Sequence, residues 1–145
     1  MYISQISVYL ENGKGTLSRL TKLLSSNHID LLALTIADTS GFGIARLIVR
    51  EENIDGCLAL LQSAGYSARK NKVLCVRVTN EPGGLDKVLS ILDDAGISIE
   101  YLYSFHYSAG RDALLILRLN DRETGAAALQ KAGVAVVSKE EISAL

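Results

Sequence analysis

The chain has 145 residues, of which 48% are hydrophobic and 21% are charged. This composition is too apolar for a disordered chain, and the length fits one ordinary domain or two small ones. The formal net charge of −1 argues against general binding to nucleic acid or to anionic membranes. The sequence shows no bilayer-spanning apolar run, no secretion signal and no cysteine spacing typical of disulfides or metal sites. We therefore expect a soluble cytoplasmic protein.

The sequence repeats itself at an offset of 68 residues. The repeat runs without a gap from Asn12/Asn80 to Gly65/Gly133. Identical pairs fall on turn glycines and apolar positions, among them Gly15/Gly83, Leu17/Leu85, Leu24/Leu92, Ile29/Ile97, Leu47/Leu115 and Leu61/Leu129. Two copies are too few for a solenoid. We predict two similar domains, residues 1–70 and 71–145, with their boundary in the basic stretch 69–72.

Each repeat begins with a predicted strand and helix. In the first repeat apolar and polar residues alternate through Ile6, Val8 and Leu10, which predicts a strand. A turn containing glycine follows, and leucines then recur at helical spacing. The corresponding helix of the second repeat stops at Gly96, where glycine allows a positive φ. The first repeat has Asn27-His28 at this place, and we expect Asn27 to take that conformation.

The remaining elements complete the same order in both repeats. Two strands follow the first helix, at 30–38 and 43–50 and again at 99–107 and 112–119. The second helix of each repeat ends at a glycine, and a short strand, clearest at 134–137, closes the repeat. The order β-α-β-β-α-β therefore occurs twice. It predicts an α+β fold of two ferredoxin-like domains, each an antiparallel sheet with both helices on one face.

The other face of each sheet also needs cover. The third strand of the first repeat has Ile44 and Ile48 on one side and Leu47 and Val49 on the other. Strands that are apolar on both sides are usually buried on both, and a domain of about 70 residues buries little surface alone. We expect the two repeats to share a sheet or to stack, and the protein to form a homodimer.

The glycine turns carry a resemblance to a known family. In the second repeat residues 80–85 read Asn-Glu-Pro-Gly-Gly-Leu, and residues 96–99 read Gly-Ile-Ser-Ile. These motifs resemble the ACT domain, a small amino-acid-sensing regulatory module marked by an (Asp/Asn)-x-Pro-Gly-x-Leu turn and a later Gly-Ile-Asn-Ile stretch. The first repeat is looser, with Asn-Gly-Lys-Gly-Thr-Leu at 12–17. The resemblance covers essentially the whole chain and implies a tandem ACT protein with no catalytic domain attached.

A glycine turn before a helix suits a ligand that carries a carboxylate. We expect the backbone N–H groups of residues 14–17 and 83–85 to be unpaired, and the helix dipole to favour negative charge there. In the resembling family the start of the second strand completes the site across a domain interface, which implies Asp30 and Ser98 here. Asp30 would pair with the ligand's ammonium group. We predict a site that combines one repeat's turn with the other repeat's second strand, within the chain or across a dimer.

The candidate ligand-binding residues are Asn12, Lys14, Gly15, Thr16, Leu17 and Asp30 in the first repeat and Asn80, Pro82, Gly83, Gly84, Leu85 and Ser98 in the second. Simpler roles remain open for some of them. Asn12 and Asn80 also fit turn or N-cap positions, and Asp30 also fits an exposed charge at a strand edge.

Aromatic residues alternate along the second strand of the second repeat, at Tyr101, Tyr103, Phe105 and Tyr107. We expect the last three to point away from the helices. Packing at an interface explains them best, and an aromatic-lined pocket is the alternative. An RNA-recognition module has the same element order, but its basic and aromatic signature is incomplete here.

No nucleophile, phosphate-binding or metal-binding motif is present. We expect no enzymatic activity, no cofactor and no metal, and we expect Cys57 to be a buried, inert thiol on a helix. The function predicted is a regulatory or sensor protein that binds a free amino acid or a similar carboxylate and acts on a partner enzyme. The alternative is a non-catalytic regulatory subunit of an amino-acid metabolic enzyme, such as acetolactate synthase, acting by protein contact.

Overall fold

The computed structural model describes residues 1–11, 13–38, 41–107 and 112–145, and four side chains within these ranges, those of Asp38, Phe42, His106 and Tyr107, lie outside the description. The strands are β1 Ile3–Glu11, β2 Ala33–Asp38, β3 Phe42–Ile48, β4 Ala68–Thr79, β5 Ile99–Tyr107, β6 Asp112–Leu119 and β7 Ala135–Val136. The helices are α1 Thr16–Ser26, α2 Ile54–Ser63, α3 Gly84–Asp94, α4 Arg122–Lys131 and α5 Lys139–Ser143, with a 3-10 turn at Glu51–Asn53 before α2. The β-α-β-β-α-β order predicted for each repeat is confirmed.

The chain divides into two compact units. The first unit holds Ser4–Asn71 together with Ser143–Leu145, and the second holds Met1–Ile3 together with Lys72–Ile142. Each unit therefore contains most of one repeat and a short segment from the far end of the chain. The repeat limits of 1–70 and 71–145 stay a prediction of the sequence.

The first unit is an antiparallel sheet with two helices on one face. β3 pairs with β2 on one side and with β1 on the other, in a register that sets Ile6 opposite Leu47. The N–H of Tyr9 donates to the carbonyl of Ser67 at 3.0 Å, which joins the end of β1 to the residue before β4. The core lies between the sheet and both helices, and its buried residues include Ile6, Val8, Leu20, Leu24, Leu47, Cys57 and Leu61.

The second unit repeats this arrangement. β6 pairs with β5 and β4, and β7 pairs with the other edge of β4. Its core contains residues at the matched positions, among them Leu74, Val76, Val88, Leu92, Leu115 and Leu129. The same alternation of apolar residues therefore builds the same core twice.

The two short terminal segments make specific contacts within the units that hold them. In the second unit the guanidinium of Arg122 lies 5.2 Å from the ring centre of Tyr2. In the first unit the Ser143 hydroxyl accepts from the N–H of Glu51 at 3.1 Å, and the Leu145 carbonyl accepts from Arg50 at 3.1 Å.

The structure differs from the sequence-based elements in five places, one of which is the end of β3, at Ile48 rather than at residue 50. The basic stretch predicted as a boundary is part of one continuous strand, β4, because residues 66–79 contain no glycine or proline to interrupt it. The final strand has two residues rather than four, and α5 follows it unforeseen. The second strand starts at Ala33 rather than at residue 30. The positive φ after α1 falls on His28, at 57°, and not on Asn27, because the N–H of His28 closes the helix end on Ser25.

Two expectations about strand faces are confirmed. Leu47 and Ile48, which point to opposite faces at the end of β3, are both buried, while Ile44 on the Ile48 face is half-buried. Leu102 is opposite the core residue Leu117, which places Tyr103 and Phe105 on the face away from the helices, where both are buried. The rings of Tyr101 and Tyr103 stack at 6.5 Å. The side chain of Tyr107 lies outside the described residues.

Candidate functional site

The first glycine turn connects the end of β1 to the start of α1. Gly15 has a φ of 81°, in the left-handed region that glycine adopts at little cost, and it directly precedes the helix. The carbonyl of Gly13 accepts two bonds from Thr16, one from its N–H at 3.3 Å and one from its hydroxyl at 2.9 Å. The turn is thus closed by its own backbone before α1 begins.

The second glycine turn has the same backbone course before α3. Gly83 has a φ of 91°, and the N–H of Gly84 donates to the carbonyl of Glu81 at 3.0 Å. Gly84 is buried against the end of β4, and a Cβ added there would overlap the carbonyl oxygen of Thr79. Here α3 starts in direct contact with the strand that precedes it.

The expectation that all of the turn amides are unpaired is wrong at two positions. The N–H groups of Thr16 and Gly84 each close a tight turn, because the chain reverses over four residues and brings a carbonyl within reach. The next two amides of each helix, beginning with Leu17 and Leu85, have no acceptor within their own helix, and the amides after them donate to the turn glycines. Both of these leucine side chains are exposed, at 36% and 41%.

A cleft of about 470 Å³ lies beside the first turn, within the first unit. Its lining residues come from the end of β1, the first turn of α1 and the loop before β4: Tyr9, Leu10, Glu11, Thr16, Arg19, Gly65, Tyr66 and Ser67. The volume falls within the range of about 300–1,000 Å³ that is usual for small-molecule sites. The lining combines a cation, an anion, four hydroxyl groups and apolar surface.

The charged lining residues flank the start of α1. Arg19 lies one helical turn after Thr16, and its guanidinium donates to the Thr16 hydroxyl at 3.5 Å. That guanidinium also lies beside Gly15, 3.5 Å from where a Cβ would be. Glu11 is the last residue of β1 and is exposed. Tyr66 packs in part against the core, which fixes one wall of the cleft.

The other predicted site residues are spread over several places. Asp30 lines a separate cleft with His28, and its carboxylate accepts from Arg50 at 2.9 Å. Ser98 lines a third cleft, beside Asp93, and its N–H donates to the Asn120 side chain at 3.0 Å. The structure therefore places Thr16, Asp30 and Ser98 in three different clefts of their units.

The rest of the predicted set lies at the turns themselves. Lys14 and Gly15 are exposed in the first turn, as are Asn80, Pro82 and Gly83 in the second. Asn12 lies outside the described residues. Whether any of these residues binds a ligand stays a prediction.

Sequence reasoning missed Arg19, Glu11 and Tyr66. One signal was available, since residue 87, the repeat partner of Arg19, is also a cation in the first turn of a helix. Glu11 and Tyr66 have no comparable signal, because their approach to α1 depends on how strand ends and loops pack.

The two thiols are buried. Burial raises the pKa of Cys57 to about 11 and that of Cys75 to about 12, so both are protonated at neutral pH. The expectation of a buried thiol at Cys57 is confirmed, and the raised pKa makes it a poor nucleophile.

Among the described residues, no group of three or more His, Cys, Asp or Glu side chains is arranged to hold a metal ion. In the same part of the chain, no helix has the length and apolar character needed to cross a bilayer.

Comparisons with known proteins identify the family. A search of the curated proteins finds no match. Among solved structures, protein BT0572 from Bacteroides thetaiotaomicron is similar at 30% identity and a TM-score of 0.90, over 100% of this chain and 98% of that one. The ligand-free regulatory subunit of aspartate kinase from Thermus thermophilus is similar in fold, at 16% identity and a TM-score of 0.64, over 90% of each chain. The aspartate kinase regulatory subunit from Thermus flavus is also similar in fold, at 15% identity and a TM-score of 0.63, over 90% and 92% of the two chains. The family described as the ACT domain pair matches residues 1–145 in full, and the chain therefore belongs to that family.

Proposed function

We propose that this ACT domain pair is a regulatory protein that binds a free amino acid beside the glycine turn of its first repeat. The observation that carries the proposal is the pair of opposite charges, Arg19 and Glu11, lining one cleft at the start of α1. Membership in the ACT domain pair family supports a regulatory role.

The cleft matches the chemistry of an α-amino acid, which carries a carboxylate and an ammonium group at neutral pH. A guanidinium binds a carboxylate through two parallel hydrogen bonds, which is the arrangement Arg19 offers. The start of α1 adds a favourable dipole for the same negative group. Glu11 accepts from the ammonium group. Asp30 is less suited to this second role, since its carboxylate already holds Arg50.

A ligand regulates only if it binds one arrangement of the protein more tightly than another. The proposed signal is therefore a shift between arrangements of the protein that a partner recognises. The partner proposed is an enzyme of amino-acid metabolism, by analogy of fold with the regulatory subunits of aspartate kinase. The chain itself acts without catalysis in this scheme.

The regulator is proposed to act as a homodimer in the cytoplasm. Exposed leucines recur at matched positions of the two repeats, Leu17 and Leu34 in the first and Leu85 and Leu102 in the second, and the second copy of the chain is proposed to cover them. Two free buried thiols suit a reducing compartment. Sedimentation equilibrium of the full chain tests the dimer, and a monomer mass at micromolar concentration contradicts it.

A thermal-shift screen of the full chain against the twenty amino acids tests the function. A ligand at about 100 times its Kd adds about 2.7 kcal/mol to the free energy of unfolding, so the melting temperature rises clearly. We expect one amino acid or a small related group to produce this rise. No response to any of them contradicts the proposal and favours a regulatory subunit that acts by protein contact alone.

A further inference from the structure

The two repeats have the same fold but different residues around their glycine turns. Each residue of the first cleft has a repeat partner 68 positions later, within the second unit. The cation is retained, since Lys87 takes the place of Arg19. The anion is lost, since Thr79 takes the place of Glu11 and offers no charge to an ammonium group.

The walls of the cleft also change. Val134 and Ala135 replace Tyr66 and Ser67, so two hydroxyl groups and one ring are missing. Ala135 is paired with Arg77 in the β4–β7 ladder. Arg77 replaces Tyr9, and its guanidinium faces the carboxylates of Asp112 and Glu141, each at 3.8 Å.

The space beside the helix start differs as well. In the first repeat the residue after the turn glycine is Thr16, whose side chain is accommodated at the edge of the cleft. In the second repeat it is Gly84, buried against the carbonyl of Thr79 so closely that no Cβ fits. The start of α3 thus fills the position that remains open beside α1.

Resting on the proposed function, we infer that the amino-acid site belongs to the first repeat alone, and that Glu11 and Arg19 together favour zwitterionic amino acids over carboxylates that lack an ammonium group. The chain then binds one ligand, and the second repeat keeps the turn as a structural element. The apolar wall formed by Leu10 and Tyr66 selects a side chain larger than that of alanine.

Isothermal titration of the full chain tests this inference, with L-phenylalanine and L-leucine as probes and with L-alanine and 3-phenylpropionate for comparison. We expect one site per chain for at least one of the two probes. We expect Arg19→Ala to lower the affinity for that probe by about tenfold or more, because a charge-assisted hydrogen bond to the carboxylate is lost. Glu11→Gln weakens it similarly but leaves the affinity for 3-phenylpropionate, which lacks the ammonium group, unchanged.

Two variants in the second repeat are the controls, Lys87→Ala at the position matched to Arg19 and Glu81→Gln at an acidic residue of the second turn. Lys87→Ala and Glu81→Gln alter exposed charges near the second turn, and we expect each to keep the affinity within about twofold. Circular dichroism of every variant confirms that it is folded before titration.

The outcomes separate the inference from the proposed function. Two sites per chain, or a loss with Lys87→Ala as large as that with Arg19→Ala, overturns the assignment to the first repeat while amino-acid binding stands. L-alanine binding as tightly as the larger probes overturns the selection by size, and so does a site that binds only glycine or alanine among the twenty amino acids. If no amino acid binds the unmodified chain, the proposed function fails and this inference fails with it.

Discussion

The two glycine turns have nearly the same backbone and very different surroundings. Gly15 and Gly83 share left-handed φ values of 81° and 91°, with ψ values of 0° and −10°. The following residue decides what the turn offers: Thr16 borders an open cleft, whereas Gly84 is pressed against Thr79. The fold therefore preserves the turn, and single side chains determine whether there is room beside it. Variants at matched positions test this difference directly.

The largest effect is expected at Gly84. Gly84→Ala forces a methyl group against the Thr79 carbonyl, which is backbone and cannot rotate away, so the free energy of unfolding should fall by about 1–3 kcal/mol. Thr16→Ala, its partner in the first repeat, removes a hydroxyl and a methyl group beside the open cleft and should cost about 0.5–1 kcal/mol. Urea unfolding of both variants measures the two losses. Equal losses would mean that the two turns are equally constrained.

A pH-dependent effect is expected from the buried thiols. Because burial raises the pKa of Cys57 to about 11 and that of Cys75 to about 12, the unfolded chain loses these protons first as the pH rises. Their contribution to stability is therefore complete below the ordinary cysteine pKa of about 8.5 and declines as the pH rises above it, through the values of the folded state.

Urea midpoints measured between pH 8 and pH 10.5 follow this decline, and Cys57→Ala and Cys75→Ala should each reduce its slope to a similar extent, because both thiols stay largely protonated in the folded state over this range. Lysine and tyrosine side chains also titrate in this range, but they are the same in the unmodified chain and in both variants. The difference between the proteins therefore reports the contribution of the thiols. Rapid reaction of either thiol with a disulfide reagent at pH 8, without unfolding, contradicts the prediction.

A smaller effect is expected at the end of the first helix of each repeat. His28 adopts a φ of 57° where the second repeat has Gly96 at 71°. A residue with a side chain costs about 1–2 kcal/mol of stability in this conformation, and replacing it by glycine removes that cost. Glycine also makes the unfolded chain more flexible, which offsets part of the stabilisation. We expect His28→Gly to stabilise by about 0.5–1 kcal/mol and Gly96→Ala to destabilise by about 1 kcal/mol. The melting temperature should rise for His28→Gly and fall for Gly96→Ala. A fall for both variants would contradict this prediction.

The smallest effect is expected at Asp30. Its ion pair with Arg50 is exposed, with 65% of the Asp30 side chain open to solvent, so Asp30→Ala should cost no more than about 1 kcal/mol. Amino-acid affinity should stay within about twofold, because Asp30 and Arg19 line different clefts. Calorimetry of this variant provides the check. An affinity loss of about tenfold would return Asp30 to the ligand site.

The fold could be predicted from the sequence because its signals are local and occur twice. Alternation through Ile6, Val8 and Leu10 and the helical spacing of Leu20 and Leu24 each depend on a few neighbouring residues, and all five are buried in the core. The second repeat shows the same pattern at the same spacing, which confirms the assignment of each element.

Of the candidate site, only the conformation of the glycine turn could be predicted from the sequence. The positive φ of Gly15 follows from the motif, but the cleft depends on how far α1 stands from β1 and from the loop at Tyr66. Packing distances of this kind are set by many residues together and leave no local pattern. The same limit explains why the contact between Gly84 and Thr79 could not be foreseen.

The exchanged end segments bear on any attempt to dissect the protein. A gene cut between the repeats would encode one fragment without Ser143–Leu145, which bonds to Arg50 and Glu51, and another without Tyr2, which lies against Arg122. Neither fragment would carry every residue of its own unit. Mixing the two should therefore restore contacts that each lacks alone, so that co-expression, rather than isolation of single repeats, is the suitable route to half-length pieces.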